Sequence, residues 1–309
     1  MSESFKKRGA GAVCAGLLLS TLIMGCAKSS SDVHALGESL QGESLLDTEL
    51  SHWDQYISFK IPDTYAGDEI LDEHGVPVAP IGLNPKDNKG VFSVIEEEGE
   101  PVLRVSGEYY GAVITKASFD NYHLRLQVKW GDKKWEPRTE KLLDTGILYH
   151  SVGAYGAEYF RSWMMSQEFQ IMEGHMGDYW NQATSGIQIK AYPREYIMSP
   201  IADARAEWLD AGGREGEEKY VMRSANYESP MGEWTTLDLI CFEGQSLHIV
   251  NGEVVMALRN SHYIDKTGQE IPMQAGRIQL QSEAAEVFYR DISIAPLEEM
   301  PGEYMEYFE

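Results

Sequence analysis

The segment "YHLRLQVKW", Tyr122 to Trp130, does most to constrain the fold. Leu124, Leu126, Val128 and Trp130 hold alternate positions, and Arg125, Gln127 and Lys129 fall between them. Side chains of a strand point alternately to its two faces, so this period of two predicts a strand with one buried and one wet face. The period recurs. "TGILYH" separates Ile147 and Tyr149 from Leu148 and His150, and "EFQIM" separates Phe169 and Ile171 from Glu168 and Gln170. "RIQLQSE" sets Ile278 and Leu280 against Gln279, Gln281 and Glu283, and "VFYRDISI" repeats the pattern. Hairpin signals lie at "EEEGEP" and at Asn251-Gly252 within "SLHIVNGEVV". The best helical pattern is "PIADARAEWLDAG", inside an acidic segment from 181 to 231 that reads as a loop excursion between strands. Many alternating strands with few helices predict an all-β, antiparallel β-sandwich.

The first residues follow a different logic. Lys6, Lys7 and Arg8 precede an apolar run from Gly9 to Gly25 that ends in "LIMGC". That is the pattern of a bacterial lipoprotein signal over residues 1–25, with lipidation expected at Cys26. Residues 26–45 read as a lipidated cysteine and tether, 46–298 as one sandwich domain, and 299–309 as a C-terminal tail. The expected location is the cell envelope, extracytoplasmic and anchored to a membrane through the lipid.

The chain carries a formal charge of −23 over 309 residues. So acidic a surface repels phosphate backbones and argues against nucleic acid as a partner. Cys14 lies in the leader and Cys26 is the expected lipid site, which leaves Cys241 without a disulfide partner. Its apolar setting, "LDLICF", predicts a buried structural thiol. Trp53, Trp130 and Trp234 fall within apolar strand patterns and are expected in the core.

Several strands present Glu, Gln, His, Lys and Arg on their polar faces. If these strands are neighbours, they make a sheet face lined with groups that bind sugar hydroxyls; the alternative is an ordinary solvated face. The segments "ITKASFDNYHLRLQVKWG", "DTGILYHSVG", "RSWMMSQEFQIMEGHMGDYW", "GEWTTLDLICFEGQSLHIVNGEVV" and "GRIQLQSEAAEVFYRDISIAPL", in this order, resemble the 3-keto-disaccharide hydrolase domain family. The resemblance implies a jelly-roll sandwich of the concanavalin A-like lectin and glucanase type. It departs at "DTG" and His150, where many members have Asn-Ser-Gly and an arginine, at Glu173, where an aspartate is common, and at the long acidic segment 181–231.

The implied activity is cleavage of glycosides oxidised at C3. The ketone acidifies the C2 proton; a base removes it, the C1 substituent leaves with help from an acid, and water adds back. Two carboxylates at the roughly 5–5.5 Å of a retaining glycosidase are not needed for that route. The alternatives are a non-catalytic carbohydrate-binding module and a direct two-carboxylate glycosidase. Laminarinase-type β-glucanases carry a strand similar to "EFQIME", but with an aspartate where Gln170 stands. No nucleotide fingerprint is present, so no cofactor is expected in this chain; any NAD chemistry belongs to a separate sugar 3-oxidoreductase partner, and a divalent metal stays open.

The catalytic candidates are Glu168 as acid or base, His150 as base or donor, and Lys116 as the group that stabilises the enediolate. Gln170, Gln281, Glu173, His175, Asp178 and Trp180 are candidates for binding substrate. Strand parity turns Glu173 away from Glu168 unless a β-bulge intervenes. His175 and Asp178 alone are weak evidence for a metal, and none is assigned.

Overall fold

The computed structural model describes residues 42–61, 70–158, 161–194 and 199–309. The expected leader, Cys26 and nearly all of the tether lie outside the described residues. Among the described residues the chain forms β1 (Glu43–Ser44), β2 (Trp53–Ile57), β3 (Gly82–Leu83), β4 (Phe92–Glu97), β5 (Glu100–Val105), β6 (Gly111–Thr115) and β7 (Tyr122–Lys134). Next come β8 (Asp144–Val152), β9 (Met165–Met172), β10 (Tyr179–Asn181), β11 (Ser185–Tyr192), β12 (Ile201–Ala202), β13 (Trp208–Gly212) and β14 (Tyr220–Val221). The last are β15 (Thr235–Phe242), β16 (Gln245–Val250), β17 (Glu253–Ile264), β18 (Glu270–Pro272), β19 (Arg277–Ser282) and β20 (Ala285–Pro296).

These strands make two antiparallel sheets. One runs β12-β11-β17-β16-β15-β7-β20-β5-β4, with β1, β13 and β18 paired at its sides; the other runs β14-β10-β9-β8-β19-β6-β2-β3. The period-two pattern decides what lies between them. Leu124, Leu126 and Val128 of β7 meet Ile147, Phe169, Ile171, Ile278 and Leu280 of the second sheet in one buried cluster. Burial of such side chains stabilises by about 1.5–3 kcal/mol each. Because Phe169 and Ile171 point inward, Glu168 and Gln170 must stand on the outer face of the second sheet. β9, β8 and β19 are direct neighbours there, with Leu148 opposite Glu168 and Gly146 opposite Gln170. The polar rows expected from separate segments therefore share one face.

Both hairpins form as the turn residues demand. Asn251 and Gly252 have φ of 50° and 85°, and Val250 pairs with Glu253 across them. Two left-handed residues match the twist of the flanking strands, which is why Asn-Gly suits the position.

Four expectations are corrected. The segment read as a helix is extended: Ile201–Ala202 and Trp208–Gly212 are strands, and both pair with β11. Trp208 and Leu209 take part in that ladder, so pairing with a long neighbour overrides the local helical pattern. The acidic segment 181–231 thus contributes β11 to β14 and is not a loop alone. Residues 299–309, expected as a tail, include a 3-10 helix, Gly302–Phe308, and Met300 and Tyr304 pack on Ile240, Leu247, Ile249 and Ala257. Trp53 and Trp130 are buried, but Trp234 is only half-buried, with Lys129 and Arg290 set over its ring 4.4 and 4.3 Å from the centroid. Cys241 is a buried free thiol, and burial pushes it up to about 12.

The turn supplies a test of register. Gly252→Ala is expected to lower stability by about 1 kcal/mol, the cost of a left-handed Cβ. Urea unfolding measures it, and the pocket described next should bind and react as before.

Candidate active site

A pocket of about 390 Å³ opens on the outer face of the second sheet. That size lies within the roughly 300–1,000 Å³ usual for small-molecule sites. Its chemistry comes from three adjacent strands and one loop. β9 supplies Glu168 and Gln170, β8 begins with Asp144, Glu283 follows β19, and the loop after β7 supplies Arg138. Trp163 and Trp180 add aromatic surface to the wall.

Arg138 joins the acids. It donates through Nη2 to Oδ2 of Asp144 and through Nη1 to Oε1 of Glu283 at 2.8 Å. Gln170 donates from Nε2 to Oδ1 of Asp144 at 2.5 Å. Glu168 accepts from Nε2 of Gln182 at 2.5 Å. Glu158, also at the pocket wall, accepts from the backbone N–H of Trp163 at 3.1 Å.

Burial decides the protonation states. Asp144, Glu168 and Glu283 are all buried. Removal from water disfavours the charged form, and neighbouring carboxylates add repulsion. Glu168 is raised to about 8, chiefly by burial, with the Gln182 hydrogen bond opposing and the charge of Asp144 adding to the rise. Glu283 is raised well above the ordinary carboxylate range by burial and then by Asp144, against the opposing pull of Arg138. Asp144 is raised by burial, with Arg138 and Gln170 opposing. Burial works against the charge of Arg138, yet Glu283 and Asp144 hold its proton more tightly than usual. At neutral pH these shifts favour a neutral carboxylic acid at Glu168 and at Glu283 and leave Asp144, held by Arg138 and Gln170, as the carboxylate of the cluster.

Gly146 makes this arrangement possible. A Cβ there would lie 2.5 Å from Oε1 of Glu168 and 2.6 Å from Oε1 of Gln281. Both amide atoms of Gln281 are buried without a hydrogen-bond partner. Glu168 Oε1 and Gln281 Oε1 thus converge on the space above Gly146.

Of the residues singled out from sequence, Glu168, Gln170 and Trp180 line the pocket; Gln281 does not, but its Oε1 converges with Glu168 over Gly146. The others are placed differently. His150 has φ of +52° at a register shift between Tyr149 and Val152. That break in parity turns its ring inward against Tyr122 and Tyr149, where burial lowers it to about 4. It is no base for the pocket. Lys116 lies past the end of β6 and donates from Nζ to the Ser51 carbonyl at 2.8 Å, away from the pocket. Glu173 follows β9, whose pairing with β8 has no bulge between Glu168 and Met172. Parity therefore holds, and its Oε2 accepts from the Leu143 N–H at 3.3 Å. Asp178 is fully buried, and His175 lies 3.0 Å from it. Neither lines the pocket. Among the described residues, no group of three or more His, Cys, Asp or Glu is arranged to hold a metal ion.

Sequence reasoning missed Arg138 and Asp144 and noted Glu283 only as part of a polar row. The signal at Asp144 was its departure from Asn-Ser-Gly. Arg138, in the charged turn "EPRTEK", had none.

Two substitutions test these assignments. In the folded chain Glu168 keeps a proton that the unfolded chain releases above its ordinary value of 4.5. Its contribution to stability is complete below that value and is lost as pH rises toward about 8. Glu168→Gln is expected to flatten this fall by up to about 1.4 kcal/mol per pH unit and to be more stable than wild type at pH 8. Denaturant unfolding from pH 5 to 8 checks it. Gly146→Ala is expected to displace the Glu168 and Gln281 side chains and remove saccharide binding at the pocket, read by calorimetry.

Comparison with solved structures finds distant likenesses of fold. A candidate glycosyl hydrolase from Parabacteroides distasonis is 18% identical, with a TM-score of 0.40 over 68% of this chain and 92% of that one. The carbohydrate-binding module CBM66 from Bacillus subtilis is 8% identical, with a TM-score of 0.36 over 66% and 91%. SCLam, a non-specific endo-β-1,3(4)-glucanase from family GH16, is 12% identical, with a TM-score of 0.39 over 80% and 86%. Likenesses of this size carry no argument about chemistry. No curated protein matches the chain. Residues 42–295, which span both sheets and every pocket residue named above, match the 3-keto-alpha-glucoside-1,2-lyase-like domain, and the chain belongs to that family.

Proposed function

We propose that the chain cleaves glycosides already oxidised at C3, by elimination followed by hydration, in the pocket around Glu168. The observation that carries this reading is the buried carboxyl of Glu168, whose acidity burial weakens, lining one pocket with the Asp144–Arg138–Glu283 cluster. The carboxylate of the Asp144–Glu283 pair takes the C2 proton. The electrons of that C–H bond form the C1–C2 double bond as the C1–O bond breaks. Glu168 protonates the departing oxygen. Arg138 compensates the negative charge that grows on the substrate's ketone oxygen. Water then adds across the double bond, its hydroxyl to C1 and a proton to C2, which restores the acid and base. Gln170 and Gln182 offer amides to sugar hydroxyls, and Trp180 offers its face to the ring.

The ketone must come from elsewhere. A separate NAD-dependent sugar 3-oxidoreductase is the proposed supplier, and this chain is proposed to work without a cofactor. We further propose that Cys26 is lipidated and holds the enzyme in the cell envelope. Cys26→Ser is expected to move the protein from the membrane to the soluble fraction, and its persistence in the membrane would reject the anchor.

A paired assay tests the chemistry. A 3-keto-glucoside should release its aglycone and its unoxidised parent should not. Release from the parent would favour a direct glycosidase, and binding of both with turnover of neither would leave a carbohydrate-binding module. Deuterium from heavy water should enter C2 during turnover. Glu168→Gln is expected to cut kcat by about 10²-fold or more for a sugar leaving group. The loss should be smaller for nitrophenolate, which needs no proton to leave. Activity should fall above about pH 8 as Glu168 ionises.

A further inference from the structure

Resting on that reading, we infer that Tyr220 and Asp178 are positioning residues that set Trp180 as the platform for a sugar ring of the substrate. β10 lies between β9 and β14, and the register places Trp180 opposite Glu168 on one side and opposite Tyr220 on the other. Residues directly opposite in a ladder share a face. Carboxyl, indole and phenol therefore stand in a row on the outer sheet face, the first two of them lining the pocket.

The indole lines the pocket with 38% of the residue's surface exposed. An unsupported exposed indole loses rotamer freedom when a ligand stacks on it, and a braced one has already lost it. Tyr220 is the brace: the ring centroids are 4.7 Å apart and the planes tilt by 40°. Tyr220 is itself fixed, because its hydroxyl donates to Oδ2 of Asp178. Asp178 is fully buried and also accepts from the backbone N–H of Arg223 at 2.8 Å and from its Nη1 at 3.0 Å. Arg223 is anchored in turn by donating from Nη2 to the Gly174 carbonyl. The support thus runs from a buried carboxylate to the exposed indole through one aromatic contact. Tyr220 and Arg223 belong to the long acidic segment 181–231, so that segment determines how firmly the pocket grips a ring.

The test is a double-mutant cycle. Binding of a glucose disaccharide is measured by calorimetry, and KM and kcat are measured for its 3-keto form. Trp180→Ala and Tyr220→Ala are each expected to weaken binding and raise KM about fivefold, with kcat within about twofold. The double variant is expected to be no worse than Trp180→Ala alone, because Tyr220 acts through the indole. Tyr220→Phe keeps the ring, cuts only the bond to Asp178 and should fall between; it stands in for Tyr220→Ala if that variant does not fold. Losses that add in the double variant, a fall in kcat with KM unmoved, or no saccharide binding by the wild-type protein overturn the inference. Coupled losses in binding without turnover of the 3-keto form support the platform and sink the elimination reading instead.

Discussion

One guanidinium stands among several buried carboxylates, and the rest of the site follows from that imbalance. Arg138 contacts both Asp144 and Glu283, and burial together with the charge of Asp144 raises Glu283. A buried charge is tolerated when it is paired, and one cation cannot pair with three anions. The surplus is relieved by protons, which stay on Glu168, whose hydrogen-bond partner is an amide, and on Glu283, which burial and the charge of Asp144 drive toward its neutral form. A surface cluster with the same residues would be screened by water and would titrate near ordinary values.

The sandwich makes that burial possible. Phe169 and Ile171 tie β9 into the core, and the residues between them have no freedom to choose a face. Leu148 carries the outer face of β8 into a second apolar cluster with Trp163, so one flank of the acids is dry. Gly146 then matters for what it lacks. The space a side chain would fill is taken by the ends of Glu168 and Gln281, drawn from strands on either side of β8.

Much of this was legible before any coordinates. Period two placed Glu168 and Gln170 opposite Phe169 and Ile171, and Asn251-Gly252 placed a hairpin, because both rest on local geometry. Parity also predicted the fate of Glu173. The same rule failed at His150, where one left-handed residue reverses the faces and no residue type announces it. A different reading failed over 200–212, where the helical pattern gives way to strands because β11 pairs with the segment. Arg138 was invisible for a different reason. Its meaning lies in Glu283, 145 positions along the chain, and only folding brings the two together.

The face therefore divides its labour by depth. Carboxyl groups that need shifted acidities lie where water is excluded, on strands whose positions the core dictates. Trp180, which needs only to present a flat surface, stands at the rim, braced from a segment with no part in the central core. Variation at Tyr220 or Arg223 can alter how the ring is held and leave the acids in place, whereas Gln182, in the same segment, acts on Glu168 directly. A change at Gly146 or Gln170 has no such latitude, because it acts on the acids themselves.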